Sequence, residues 1–371
     1  IILNLYKFSM SGPWPESWLI EKAEEFNINT LGELDKTKWV EILKDNIRIE
    51  VEGFINMYHK AIEIISDTEG LEAYLDTFRG DLECLENVYE SLNYGLSEIY
   101  AALNGVVFTK LKTVRKSAVS DENAQGTVKS IRDTVKKKVK SLIEDSFTFT
   151  PEESLQGIKD VYPYMKELSR ITLDFLDKFN EKKREKNLLD FNDLEHLCLK
   201  ILIDRDENNN IIPSGVAEHF KEFFDEVLVD EYQDSNNVQE TIIDLVSRKN
   251  SDDPNVFMVG DVKQSIYRFR QAKPELFLDK YSRYPLASGG KERKIQLYKN
   301  FRSRDEVLKG VNFIFKMVMS NIVGELEYTN DEALHLGATF LENKEEDSEV
   351  GGSIELHIID KSGKEAEEVI E

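Results

Sequence analysis

Cysteine is nearly absent. The 371 residues contain two, Cys84 and Cys198, in no Cys-x-x-Cys pair and no Cys/His cluster. A disulfide framework or a thiolate metal site is therefore disfavoured, and two buried thiols are the expectation. No apolar run reaches 18 residues, and no basic segment followed by an apolar one opens the chain, so a soluble, cytoplasmic protein is expected. No repeat of 20–50 residues is visible. Ile1 is not an initiator Met, and the opening Ile1-Ile2-Leu3 falls in mid-pattern, which suggests a piece of a longer chain.

Positive charge is also short overall. The formal net charge is −23, which by itself argues against a polyanion partner. The average hides two basic tracts. Residues 110–140 hold ten Lys/Arg against three Asp/Glu, and residues 263–304 hold twelve against three. The surplus acid lies elsewhere, as in Glu342–Glu349. Such tracts can follow a phosphate backbone, but solvated helix faces give the same composition.

A 40% hydrophobic content over 371 residues allows a sizeable core and two or three domains. Up to about residue 190, apolar residues recur at spacings of three and four, as in Ile55, Tyr58, Ile62 and Ile65, which predicts helices. Gly12-Pro13-Trp14-Pro15 reads as a turn and the polar Thr113–Gly126 as a loop. Beyond about residue 220 the pattern changes. Glu226–Asp230, Asn255–Asp261 and Lys294–Leu297 are candidate strands, with helices expected at Val238–Val246, Pro274–Tyr284 and Val307–Met319. Apolar strands alternating with helices predict an α/β fold with a parallel sheet. Lys344–Ser348 reads as an acidic loop, and Ser353–Ile359 alternates like a strand.

Three segments carry chemistry. The first is Val227-Leu228-Val229-Asp230-Glu231-Tyr232-Gln233-Asp234. Ligands of open α/β sheets bind beyond the carboxyl ends of strands, so a strand ending in Asp-Glu offers two carboxylates there. One can hold Mg²⁺, and the next can accept a proton from an attacking water. A surface acidic turn is the competing reading, although Asp-Glu-x-Gln-Asp is a rare form of one. The second segment runs from Val259-Gly260-Asp261 through Gln264 to Tyr267-Arg268-Phe269-Arg270. A Gln just past a strand tip can contact a terminal phosphate. Aromatics interleaved with Arg suit single-stranded nucleic acid, where rings stack on bases. A core Tyr and Phe with surface Arg would look the same. The third is Lys299-Asn300-Phe301-Arg302-Ser303-Arg304. Its Arg could neutralise phosphate charge and its ring could stack on a base, or Ser303 could simply cap the next helix.

In this order and spacing the three segments resemble motifs II, III and IV of superfamily 1 DNA helicases. Asp190-Phe191-Asn192-Asp193-Leu194 resembles the point where the helical 1B insertion of that family returns to the first motor domain. Val259–Arg270 continuing into Pro274-Glu275-Leu276-Phe277, Arg302–Leu308, and the stretch from Glu327-Tyr328 to Leu336-Gly337-Ala338 are similar to the AddA branch, the helicase-nucleases. The likeness is detailed over 186–340 and looser over 1–185, where Tyr6-Lys7-Phe8 and Trp18-Leu19 contribute.

The resemblance implies a partial RecA-like (P-loop NTPase) parallel sheet preceded by a mostly helical 1B domain. The divisions would be 1–185 (1B-like), 186–293 (latter part of motor domain 1A) and 294–371 (start of 2A). It implies ATP and Mg²⁺ as cofactors, single- and double-stranded DNA as substrates, and AddB as the partner in a heterodimer. By the same likeness Asp230 binds Mg²⁺, Glu231 is the catalytic base, Gln264 senses the γ-phosphate, Arg302 contacts it, and Phe301 stacks on adenine. Tyr267, Phe269 and Arg270 would face single-stranded DNA. Phe269 stands where UvrD-type helicases usually carry Trp, which reduces the stacking surface.

One hallmark of the family is missing from these residues. A P-loop needs Gly-x-x-x-x-Gly-Lys-[Ser/Thr]. Gly363-Lys364 is followed by Glu365, with Ile at 358, and Gly290-Lys291 by Glu292, with Pro at 285. Nothing resembles the later helicase motifs or a nuclease domain. The chain alone is therefore expected to be inactive. A UvrD-like helicase without nuclease, and a non-catalytic scaffold that keeps a motor fold, are the rival readings.

Overall fold

The structure is a computed structural model that describes residues 1–115, 119–208, 210–324, 326–340 and 354–355. The acidic loop expected at Lys344–Ser348 lies outside the described residues, as does the strand expected at Ser353–Ile359 apart from Ile354 and Glu355. The chain divides into two compact units, Ile1–Arg283 and a second beginning at Tyr284.

The first unit opens with helices α1 (Ile2–Ser9), α2 (Pro15–Glu24), α3 (Leu31–Leu34), α4 (Lys38–Asp67), α5 (Leu75–Ser91), α6 (Leu96–Asn104), α7 (Glu122–Ser146) and α8 (Pro151–Glu185). The turn expected at Gly12–Pro15 separates α1 from α2. Helix α4 has 30 residues, and its apolar stripe packs against α5 and α7. Phe54, Tyr58, Ala61 and Ile65 of α4 meet Phe78, Leu82 and Leu85 of α5 and Val128, Val135 and Val139 of α7 in one core. One ion pair is buried within it. The Arg132 guanidinium donates to Asp81 Oδ2 from Nε at 2.7 Å and to the Thr109 carbonyl at 2.6 Å, while the Tyr58 hydroxyl donates to Asp81 Oδ2 at 3.1 Å. Burial, and then the Asp81 charge, push the Tyr58 phenol well up.

The loop expected over Thr113–Gly126 ends earlier than its polarity suggests. Asp121 accepts from the backbone N–H groups of Asn123 and Ala124 and starts α7 at Glu122. The basic tract in α7 places Lys136, Lys137, Lys138 and Lys140 on the exposed face, opposite the valines in the core.

Helix α9 (Phe191–Leu202) begins at the Asp190–Leu194 segment. Asp190 and Asp193 form a reciprocal capping box, and Lys183 at the end of α8 bridges both carboxylates, at 3.0 and 2.5 Å. Burial would raise the Asp190 carboxyl. Lys183 and the backbone N–H groups outweigh it and hold the group below the usual range. A short antiparallel pair, β1 (Ile203–Arg205) with β2 (Ile211–Pro213), follows, which no alternation in the sequence foretells. Helix α10 (Gly215–Phe223) leads into β3 (Val227–Val229), then α11 (Asn237–Val246), β4 (Val256–Met258) and α12 (Pro274–Arg283).

Strands β3 and β4 are parallel, with Val227 opposite Val256 and Val229 opposite Met258. Their entry is pinned by Arg248, whose guanidinium donates to the carbonyls of Lys221 and Phe224, and by Asn255, whose amide also donates to Phe224. One face of this pair is open. Leu228 is 69% exposed and Phe257 52%, because nothing among the described residues covers that face.

The second unit has its own parallel pair, β5 (Lys299–Asn300) with β6 (His335–Leu336), around α13 (Asp305–Val318) and α14 (Asn321–Gly324). The strand expected at Lys294–Leu297 does not form there. Pairing begins two residues later, and Leu297 is left 83% exposed. Asn312 of α13 ties this unit together, accepting from the Tyr328 hydroxyl at 2.8 Å and the Leu334 N–H at 2.9 Å.

Candidate nucleotide and DNA site

Asp230 and Glu231 follow the last residue of β3 directly. Glu231 sits in the left-handed region (φ 49°, ψ 40°), unusual for a non-glycine residue, and the chain turns there into a 3-10 turn over Tyr232–Asp234. The conformation is held from both sides. The Tyr232 N–H donates to the Val259 carbonyl at 2.9 Å, and the Glu231 N–H donates to Asp230 Oδ1 at 2.9 Å. Both carboxylates are exposed. Asp234 differs: its Oδ1 is buried without a hydrogen-bond partner among the described residues, and burial, then the Glu231 charge, raise its carboxyl.

The neighbouring loop leaves β4 through Val259-Gly260-Asp261. Asp261 caps a 3-10 turn over Val262–Gln264, accepting from the Lys263 N–H at 3.1 Å and from Gln264 Nε2 at 3.0 Å, and pairing with Lys263 Nζ at 2.9 Å. Burial would raise the Asp261 carboxyl, but Lys263 and Gln264 outweigh it and lower it.

A hydrogen-bond chain joins the two loops. Gln233 Nε2 donates to Glu231 Oε2 at 2.6 Å, and Gln233 Oε1 accepts from the Asp261 N–H at 3.0 Å. Glu231, Gln233, Asp261 and Gln264 are thus linked in sequence. Gly260 is needed at this crossing, since a Cβ there would lie 2.4 Å from Gln233 Oε1 and 3.0 Å from the Phe277 ring.

The aromatic–arginine segment continues from the same loop. Tyr267 and Phe269 have ring centroids 5.9 Å apart, and the Arg270 guanidinium lies 5.1 Å from the first ring and 5.5 Å from the second. Phe269 is 72% exposed and Tyr267 37%, so neither ring is core. Gln271, at φ 67°, turns the chain back, and the Lys273 N–H donates to the Ser235 carbonyl at 2.8 Å. The segment is thereby tied to the loop that follows Glu231.

Beneath the loops lies a polar network that sequence reasoning missed. Tyr232 is fully buried and donates to Glu240 Oε2, whose other oxygen takes Lys249 at 2.6 Å and Lys280 at 2.7 Å. The Lys280 ammonium also donates to the Tyr232 hydroxyl. No local pattern announces it, because its members come from a turn, α11, the following loop and α12.

In the second unit, Phe301 and Arg302 are both exposed. Asn300 Oδ1 accepts from the N–H groups of Arg302 and Ser303 and shapes the turn before α13. The alternative cap by Ser303 is not used, since Arg304 holds the N-cap position without a side-chain bond. The Phe301 ring lies against Gly337, where a Cβ would come within 2.8 Å of it.

The family model for the UvrD/REP helicase N-terminal domain matches residues 38–285. The chain belongs to the UvrD/REP helicase family. The matched residues of this UvrD/REP domain include both strand-tip loops and the aromatic–arginine turn, whereas Phe301 and Arg302 lie beyond them. Among curated proteins, three similar relatives each bear the name of an ATP-dependent helicase/nuclease subunit. The chain is 58% identical over 367 residues to the one from Clostridium botulinum and 60% identical over 365 residues to the one from Clostridium beijerinckii. It is 46% identical over 363 residues to the one from Acetivibrio thermocellus. These alignments cover 99%, 98% and 97% of this chain but 29% of each relative. The chain therefore spans less than a third of the length of the relatives it matches.

Proposed function

We propose that the full-length protein is an ATP-dependent DNA helicase and exonuclease of the AddA type, which unwinds and resects double-strand breaks for recombinational DNA repair, in the cytoplasm and with an AddB partner. This chain would supply the 1B-like domain (1–185), the latter part of a RecA-like domain 1A (186–293) and the start of 2A (294–371). The observation that carries the reading is the hydrogen-bond chain from Glu231 through Gln233 and Asp261 to Gln264, across the carboxyl ends of two adjacent parallel strands.

In this reading Glu231 takes the proton of the attacking water, and Gln264 contacts the γ-phosphate. Arg302 neutralises charge on that phosphate, and Phe301 stacks on adenine. Tyr267, Phe269 and Arg270 hold a single strand by stacking and charge. Asp230 would hold Mg²⁺. Its exposed oxygens suit a hard cation. The magnesium would be bound through this one carboxylate together with substrate phosphates, whose charge it would neutralise. The uncovered face of β3 and β4 fits a sheet whose helical cover comes from the remainder of the protein, since parallel strands are ordinarily covered on both faces.

Strand separation tests the proposal. The full-length protein with its AddB partner should displace a labelled strand from a duplex only when ATP and magnesium are present. Absence of displacement by an ATP-hydrolysing preparation would refute the helicase reading.

A further inference from the structure

Glu231 is placed by a strained backbone, but a backbone alone does not aim a three-torsion carboxylate. Among the described residues its one side-chain hydrogen bond comes from Gln233. Gln233 is 1% exposed, and both ends of its amide are committed. The amide has one workable orientation. Reversed, its NH₂ would face the Asp261 N–H, donor against donor, and its carbonyl would face the Glu231 carboxylate, acceptor against acceptor. The backbone of one strand-tip loop therefore dictates which end of Gln233 faces Glu231 on the other. Gly260 leaves room for this crossing, since any Cβ would collide with Gln233 Oε1.

We propose that Gln233 is a positioning residue, which fixes the Glu231 carboxylate relative to the Asp261–Gln264 turn so that base and phosphate-contacting amide are held as one unit. The inference rests on Glu231 acting as the base. Gln233 occupies the oxygen Oε2 and leaves Oε1 to meet water. A displacement of the Val262–Gln264 turn would be passed to Glu231 through Asp261 and the amide, without any rearrangement of β3. Such a link serves the chemical step more than nucleotide affinity, because Gln233 itself is buried behind the carboxylate.

The test is steady-state ATP hydrolysis by the full-length protein with its AddB partner. Gln233→Glu keeps the shape and the acceptor for Asp261 but replaces the amide donor to Glu231 with a second carboxyl, which repels Glu231 when ionised and shares a proton with it when neutral. Its kcat should fall by about 10–100-fold, the scale of a misplaced general base, with KM for ATP within about 2-fold of wild type. Gln233→Met keeps length and volume without adding charge, and should lower kcat in the same direction should the Glu variant fail to fold. Glu231→Gln in the same preparation is the control and should be inactive. Wild-type kcat in both Gln233 variants, beside an inactive Glu231→Gln, would overturn the positioning role alone. So would a fall in apparent kcat that merely tracks the loss of folded protein in a thermal melt. Wild-type turnover by Glu231→Gln would overturn the base assignment and this inference with it.

Discussion

The α4–α5–α7 bundle buries twelve apolar side chains in one cluster. Among the described residues, the region around β3 and β4, from 191 to 283, buries only Leu199, Leu202, Ala217, Tyr232, Val238, Ala272 and Pro274 among its apolar side chains, and turns Leu228 and Phe257 outward. The bundle is ordered mainly by the removal of apolar surface from water. The site region is ordered mainly by directed polar contacts: Arg248 at the strand entries, Glu240 beneath the loops, and Gln233 between them. The difference follows from task. A bundle needs only to stay packed, whereas the hydrolytic site proposed above would need specific atoms at specific places, and hydrogen bonds fix angles where apolar contacts do not.

The largest effect should come from breaking the Asp81–Arg132 ion pair buried inside the bundle. Asp81→Ala leaves the Arg132 charge without its partner in an apolar core and should cost about 3–5 kcal/mol, seen as a large drop in the thermal midpoint of the chain. A loss below about 1 kcal/mol would show that Arg132 finds water instead, and the contrast between the regions would weaken.

Glu240 offers the matching cut beneath the site. Burial opposes its ionised form, but Lys249, Lys280 and Tyr232 outweigh that and lower its pKa from the ordinary 4.5. A depressed carboxyl stabilises the fold in full above the ordinary value and loses that contribution as pH falls through the folded one. Stability should therefore decline below about pH 4.5 in wild type and more shallowly in Glu240→Gln, which itself costs about 1.5–3 kcal/mol near neutrality. Identical pH–melting curves would remove Glu240 from the account.

How much of this was legible in sequence depends on the range of the contact. Spacing at three and four places Tyr58 and Ile65 in the core, where they are buried. The apolar runs ending in Asp-Glu and Gly-Asp mark the strand tips within a residue or two, because a strand in a parallel sheet announces itself by composition. Lys294–Leu297 has the same composition, but a strand needs a partner, and pairing occurs at Lys299–Asn300 instead. Gln233 stands inside the Asp-Glu-x-Gln-Asp pattern without an evident role, since nothing local reveals that its amide reaches Asp261, 28 positions away. Glu240 and Lys280 lie 40 apart, beyond any periodicity argument.

The smallest expected effect concerns DNA. The 371-residue chain should bind an oligothymidine weakly, with a Kd on the order of micromolar or higher that rises with salt, because two exposed rings contribute only about 1–3 kcal/mol per stacked base against a net charge of −23. Phe269→Ala should weaken binding by several-fold in fluorescence anisotropy. Unchanged affinity would assign the DNA contact to the basic face of α7 instead.

The most direct test of the proposed hydrolytic site is steady-state ATP turnover by full-length Glu231→Gln, measured beside its affinity for a fluorescent ATP analogue. The side chain keeps its shape and its place beside Gln233 but cannot take a proton. Turnover should fall at least about 100-fold, with nucleotide affinity close to wild type. Turnover within a few-fold of wild type would contradict the assignment of Glu231 as the base.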